Sequence, residues 1–160
     1  RLGKDAAGLI LTCAASPRYV QAADFPYGGV REDVLGMQDA ILADRAGFFK
    51  GLSAGVCAKD VGQPAIDWMW SIFMDAGPQA IKAMLALADL DQRSILAGLD
   101  IPVLSIIGSE DGVVPPQIGE QAAACAQHGK LARFEGCGHA PFIEDGPGYI
   151  KTLLEFAQDV

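Results

Sequence analysis

Three short stretches of the chain are rich in apolar residues and bounded by turn residues. They cover residues 8–14, residues 101–108 and residues 130–136, and the third alternates between apolar and polar positions. Runs of this length and setting are typical of β-strands. We expect all three strands to be buried. The first is apolar on both faces, so we expect it to be an interior strand of a sheet.

Helical periodicity fills the chain between the first two predicted strands. Helices are predicted over residues 31–42, 46–52, 64–77 and from residue 78 onwards. Their buried faces are read from apolar residues three or four positions apart, which share one side of a helix. In the first of these helices that face comprises Val34, Met37, Ile41 and Leu42.

Beyond residue 100, strands and helices alternate. Helices are predicted over residues 118–127 and 147–159, each following one of the last two strands. In the final helix the inward positions are predicted to be Ile150, Leu153, Leu154 and Phe156. Alternating strands and helices are typical of a parallel sheet with crossover helices. The fold class is therefore α/β, with a core of residues 1–17 and 99–160 and an inserted helical cap of residues 18–98.

Composition and charge exclude several classes of protein. The 160 residues are 51% hydrophobic and 20% charged, which is typical of a globular domain. The net charge of −8 disfavours nucleic acids and anionic membrane surfaces as partners, because both would repel the chain. No apolar run is long enough to span a bilayer. The chain begins with Arg1, so we expect that this is not a native translation start and that a targeting segment could precede it.

The four cysteines are scattered rather than paired, at Cys13, Cys57, Cys125 and Cys137. Free, buried thiols in a reducing compartment fit this spacing better than a disulfide framework, which favours a cytoplasmic location. Cys125, His128, Cys137 and His139 could together suit zinc. We disfavour that alternative because Cys125 lies on the apolar face of a predicted helix, and a predicted strand separates it from Cys137 and His139. We predict no metal and no cofactor.

Two polar residues follow the second and third predicted strands. Asp111 lies in a glycine-bearing loop ahead of Pro115, and His139 follows Gly138. Adjacent parallel strands present such residues on one rim of the sheet. A carboxylate there could fix the histidine tautomer and stabilise the imidazolium. We therefore predict Asp111 and His139 as catalytic acid and base, with Glu110 as a rival carboxylate.

The chain resembles the C-terminal part of the α/β-hydrolase superfamily, most closely the non-haem chloroperoxidase and esterase group. The resemblance is carried by Gly108-x-x-Asp111-x-x-Val114-Pro115, by Gly138-His139 before a terminal helix, by Asp89-x-Asp91-x-Arg93 through Ile101-Pro102-Val103, and by Ala15-Ser16-Pro17-Arg18 through Asp44-Arg45-x-x-Phe48. It implies a Ser-His-Asp triad, with peracid formation as a side reaction.

The serine nucleophile of that superfamily lies in a G-x-S-x-G turn between a strand and a helix. One match exists, Gly51-Leu52-Ser53-Ala54-Gly55. Because the preceding residues are predicted to be helical and the match lies inside the cap, we interpret Ser53 as a chance match. The nucleophile is then expected upstream of Arg1.

These observations predict hydrolysis of small carboxylic esters by the intact protein, with the 160-residue chain alone inactive. Trp68, Met69 and Phe73 are predicted to contact an apolar substrate group, or else simply to pack between cap and core. Alternatives on the same fold are hydrolysis of a C–C bond, lactone, epoxide or haloalkane, a ligand receptor, and an inactive fragment. The expected partners are the small ester and either an N-terminal half of the hydrolase or a second copy of the chain.

Overall fold

A three-stranded parallel sheet forms the centre of the computed structural model, which describes residues 6–160. Its strands are β1 (Leu9–Thr12), β2 (Val103–Gly108) and β3 (Gly129–Phe134), in the order β1-β2-β3. Residues 1–5 of the predicted core lie outside the described part. All six residues of β2 are buried, as expected for the central strand. The fold is α/β with parallel strands, as the sequence predicted.

Five helices and a short 3₁₀ helix lie between β1 and β2. They are α1 (Arg31–Ala43), α2 (Arg45–Gly55), α3 (Gln63–Asp75), α4 (Pro78–Leu85), the 3₁₀ helix Ala86–Ala88, and α5 (Arg93–Ala97). Local chemistry sets several of these boundaries. The Asp44 carboxylate accepts a hydrogen bond from Gly47 N at 2.9 Å and caps α2. Prolines occupy the first turn of α3 and of α4, where a missing N–H has no cost.

Three helices accompany the last two strands. They are α6 (Pro116–Cys125), α7 (Pro141–Glu144) and α8 (Gly146–Gln158). Helix α6 connects β2 to β3, which makes the crossover that a parallel pair requires. Helix α8 packs Phe156 against Leu104 and Ile106 of β2. The helices predicted near these positions are confirmed, whereas the short helices α5 and α7 were not predicted.

Several predicted buried positions are exposed. Ile150 and Leu154 of α8 are each 59% exposed and Leu42 of α1 is 71% exposed. Helix α8 contacts the sheet mainly along the face that carries Tyr149, Leu153 and Phe156. The apolar face of α8 is therefore wider than the part of it that packs against the described sheet.

Burial of the outer strands also differs from the prediction. Strand β3 is mostly exposed, with Leu131 at 45% exposure, because it is an edge strand of the described sheet. Strand β1 is the opposite edge and pairs only with β2 among residues 6–160. Its residue Ile10 is 39% exposed, so β1 is not an interior strand in this part of the chain. No helix among the described residues is long and apolar enough to cross a membrane.

Candidate active site

Asp111 lies in the loop that follows β2, where its side chain is almost fully buried. One carboxylate oxygen, Oδ1, accepts hydrogen bonds from the backbone N–H groups of Val113 at 2.8 Å and Val114 at 2.9 Å. Such side-chain to backbone bonds are the reason that aspartate is favoured in turns. Here they also fix the carboxylate so that Oδ2 remains available to a second partner.

That second partner is His139, whose Nδ1 lies 2.9 Å from Asp111 Oδ2. The histidine follows β3 and its side chain is 29% exposed. We assign the Nδ1 proton as the donor, because a carboxylate oxygen is its acceptor. This tautomer leaves Nε2 with a free lone pair, which can accept a proton from a nucleophile. The structure therefore brings together the two residues that the sequence singled out.

Two hydrogen bonds and a close backbone approach hold the Asp111 loop and the His139 loop together. Glu110 N donates to Cys137 O at 2.9 Å, and Gly136 N donates to Ser109 Oγ at 2.8 Å. At Gly108, a Cβ atom would lie 1.9 Å from Gly138 O, so the end of β2 touches the histidine loop directly. The Glu110 side chain is exposed and belongs to none of these contacts.

Cys13 is a close neighbour of the pair that the sequence did not reveal. It is buried directly after β1, and a ligand-type atom from each of Cys13, Asp111 and His139 lies within 4.8 Å of the others. Burial, with a smaller contribution from the Asp111 charge, raises the pKa of the Cys13 thiol to about 12. The thiol is therefore protonated at neutral pH. Cys13 lies close to Asp111 and His139 because β1 pairs with β2. No local sequence motif predicts this pairing.

The four residues that the sequence suggested for zinc are not the ones that lie close together in the structure. Within residues 6–160, Cys13, Asp111 and His139 form the one group of three or more close metal-capable side chains. Cys125, His128 and Cys137 are not members of it.

An apolar cavity of about 400 Å³ opens beside His139. All three predicted substrate-contacting residues, Trp68, Met69 and Phe73, line it together with His139. They also pack within the molecule: Met69 is 5% exposed and Phe73 contacts Phe49, so the packing role that was the alternative is present as well. A second cavity of about 400 Å³, lined by Met37, Phe48, Met84 and Leu87 among others, reaches His139 from the direction of α1 and α4.

Ser53 lies near the end of α2, not in a turn between a strand and a helix. Its side chain is fully buried, and its Oγ donates to Lys50 O of the preceding helical turn at 3.0 Å. A serine nucleophile in this superfamily needs an exposed Oγ on a strand-to-helix turn. The local geometry of Ser53 has neither feature.

Glu144 is a further residue near the site that sequence reasoning missed. It lies at the end of α7, and its carboxylate accepts from backbone N–H groups of both the histidine loop and the segment after α2. The segment after α2 is 85 or more positions away in the chain. Only the folded arrangement reveals this contact, because no pattern along the chain links the two regions.

The parallel sheet, the two loops at its carboxyl edge and the aspartate–histidine pair resemble those of the C-terminal part of an α/β-hydrolase. The homologues and structural neighbours of the chain are α/β-hydrolase superfamily members. No protein-family model matches the chain.

Among the sequence relatives, the AB hydrolase superfamily protein YisY of Bacillus subtilis is 28% identical over 156 residues, 97% of this chain and 58% of its own length. A pimeloyl-(acyl-carrier protein) methyl ester esterase of Aromatoleum aromaticum is 32% identical over 139 residues, 84% of this chain and 55% of its own length. The chain thus spans less than two thirds of the relatives that it matches.

Among solved structures, the esterase EaEST from Exiguobacterium antarcticum superposes with a TM-score of 0.90 at 27% identity, over 95% of this chain and 57% of its own. A bromoperoxidase from Bacillus anthracis superposes with a TM-score of 0.86 at 22% identity, over 94% of this chain and 58% of its own. This second similarity shows a shared fold.

Proposed function

We propose that the intact protein hydrolyses small carboxylic esters, and that this chain supplies the acid and the base of a Ser-His-Asp triad. The observation that carries the proposal is the hydrogen bond of 2.9 Å between His139 Nδ1 and the buried Asp111 carboxylate. In this proposal the serine lies in a segment of the protein outside these 160 residues.

The chemistry follows from the tautomer. His139 Nε2 removes the proton from the serine hydroxyl as the oxygen attacks the ester carbonyl, and the imidazolium then protonates the departing alkoxide. Water attacks the acyl-enzyme in the second half of the reaction, with His139 again as general base. Asp111 orients the ring and stabilises its positive charge. Backbone N–H groups of the serine-bearing segment are proposed to hold the oxyanion.

The surroundings of His139 favour an apolar substrate group. Both cavities that reach the ring are lined mostly by aliphatic, aromatic and methionine side chains. Burial of such a group contributes about 25 cal/mol for each Å² removed from water. The relatives named as methyl ester esterases and the esterase structure support ester hydrolysis as the reaction.

A fluorophosphonate probe tests the proposal, because it labels activated serines covalently. The intact protein is treated with the probe, and the labelled peptide is identified by mass spectrometry. We expect one labelled serine outside the 160 residues, equal labelling in a Ser53→Ala variant, and no labelling in a His139→Gln variant. The 160-residue chain alone should neither react nor hydrolyse p-nitrophenyl acetate.

Two results would contradict this assignment. Labelling at Ser53 would place the nucleophile in α2. Absence of any activated serine, with turnover of an epoxide or haloalkane instead, would indicate an aspartate nucleophile served by the same His139 and Asp111 pair.

A further inference from the structure

We infer that Glu144 is a positioning residue for His139, whose carboxylate binds the histidine loop to the segment of residues 56–59 that follows α2. The inference gives Glu144 a role in the triad only if the proposed function is correct. The contacts themselves are independent of it.

The Glu144 carboxylate accepts three backbone hydrogen bonds. Oε1 accepts from Gly138 N at 2.8 Å, while Oε2 accepts from Ala58 N at 2.8 Å and from Lys59 N at 2.9 Å. A carboxylate can accept at both oxygens at once, whereas an amide has only one acceptor oxygen. Hydrogen bonds to a charged acceptor are roughly twice as strong as neutral ones. One side chain therefore joins two loops that belong to different parts of the fold.

Backbone packing shows that the two loops are in direct contact around the histidine. His139 N donates to Val56 O at 2.7 Å. A Cβ atom at Gly138 would lie 2.6 Å from Ala58 N and 2.8 Å from Val56 O. Both are backbone atoms that cannot rotate away, so the approach of residues 56–58 requires glycine at position 138. The residue before His139 is thus held both by the Glu144 carboxylate and by contact with residues 56–58.

These contacts complement the one that Asp111 makes. Asp111 fixes the imidazole ring through Nδ1, but the ring can meet that carboxylate only if the His139 backbone is correctly placed. Glu144 supplies that placement through the neighbouring N–H of Gly138. A structural role limited to α7 would leave the Asp111–His139 hydrogen bond intact when Glu144 is changed, and a positioning role would not.

The test is Glu144→Gln in the intact protein, compared with Glu155→Gln. Glu155 carries the same charge on α8, where its exposed side chain contacts Lys151 at 3.5 Å. All three N–H groups donate to Glu144 and not to Glu155. The readout is the NMR signal of the His139 Nδ1 proton, which is assigned with an Asp111→Asn variant that removes its acceptor. We expect Glu144→Gln to lose or broaden this signal and Glu155→Gln to retain it.

Kinetics provide a second readout. Misplacement of a catalytic group by about 1 Å can cost about 100-fold in rate. We expect Glu144→Gln to lower kcat for a p-nitrophenyl ester by up to about 100-fold with little change in KM, since no contact places Glu144 in either cavity. Glu155→Gln should match the unmodified protein.

An unchanged Nδ1 signal and an unchanged kcat in folded Glu144→Gln would overturn the inference. If that variant does not fold, hydrogen exchange of the unmodified protein decides instead: rapid exchange at Gly138, Ala58 and Lys59 would show that the three bonds do not form in solution. If the intact protein has no hydrolytic activity, the proposed function fails. Loss of the Nδ1 signal in Glu144→Gln would then still support the positioning role.

Discussion

Asp111 and Glu110 are adjacent in the chain, yet their side chains lie in different environments. The Asp111 carboxylate is buried and bonded to Val113 N, Val114 N and His139, whereas Glu110 faces solvent. A carboxylate can fix a histidine tautomer only if it is itself held in place. The turn geometry therefore selects Asp111 as the acid of the proposed triad.

Replacement of Asp111 by asparagine tests this selection. In the intact protein, Asp111→Asn should retain the fold and lower kcat by about four orders of magnitude, because the amide favours the wrong histidine tautomer. Glu110→Gln is the matched control and should change kcat less than twofold. Esterase kinetics with circular dichroism measure both. A larger loss in Glu110→Gln than in Asp111→Asn would show that Glu110 is the acid.

Buried thiols give a prediction that depends on pH. Burial raises the pKa of Cys13 to about 12 and that of Cys57 to about 11. Both groups are then thiols at pH 8, with a thiolate fraction of at most about one in a thousand, and only the thiolate reacts with alkylating reagents. Iodoacetamide at pH 8 should leave both unmodified in the folded chain and modify both in urea. Peptide mapping by mass spectrometry that finds native-state labelling as fast as in urea would contradict these shifts.

At the scale of elements, the contact between the end of β2 and the histidine loop determines the geometry of the candidate site. Gly108 ends β2, and a Cβ there would lie 1.9 Å from Gly138 O and 2.4 Å from Cys137 O. Gly112, four residues later in the same loop region, has no atom within 4 Å of its Cβ position. These two glycines therefore form a matched pair, one required by packing and one open.

Gly108→Ala should destabilise the chain by about 1–3 kcal/mol, the usual cost of forcing an extra carbon into a packed site. Gly112→Ala should change stability by less than about 0.5 kcal/mol, as surface substitutions usually do. Urea unfolding of the two variants under identical conditions measures both effects. Equal stability of the two variants would show that β2 and the histidine loop are not in contact in solution.

The sequence predicted these elements because their signals are local. Strand β2 is apolar apart from Ser105, and α3 and α4 each have a proline in their first turn. The four-residue helix α7 is too short for a periodic pattern to appear. Burial was less predictable, because Ile150 and Leu131 are apolar in sequence but exposed in the fold. The exposure of a residue depends on which element packs on its helix or strand. The spacing of apolar residues along the chain does not identify that element.

The same distinction applies to the candidate site. Asp111 and His139 were predictable because each follows a strand, and strand ends meet at one edge of a parallel sheet. Cys13 and Glu144 were not, because their contacts arise from tertiary packing between segments far apart in the chain. Cavity residues such as Trp68 could be proposed from their apolar clustering, although the same clustering is typical of ordinary packing.

At the scale of the whole molecule, the two edges of the described sheet differ in chemistry. Strand β3 carries Lys130 and Arg133, and charges of this kind protect an edge from pairing with another strand. Strand β1 has the sequence LILT, without charge or proline, and Ile10 on it is 39% exposed. The β1 edge is therefore the surface that we propose for pairing, with an N-terminal part of the hydrolase or with a second copy of the chain.

We accordingly predict that the 160-residue chain is not a monodisperse monomer. The outer edge of β1, which pairs with no strand among residues 6–160, should lead to dimers or larger assemblies at micromolar concentration, measurable by sedimentation velocity. Ile10→Lys should shift the chain toward monomer, because a charged side chain on an edge strand opposes strand addition. Leu131→Lys on β3 is the matched control, with a similarly exposed starting residue at 45%, and should leave the association unchanged.

A chain that sediments as a monomer with a cooperative thermal transition would show that the β1 edge needs no partner. A stronger response to Leu131→Lys than to Ile10→Lys would place the association at β3 instead.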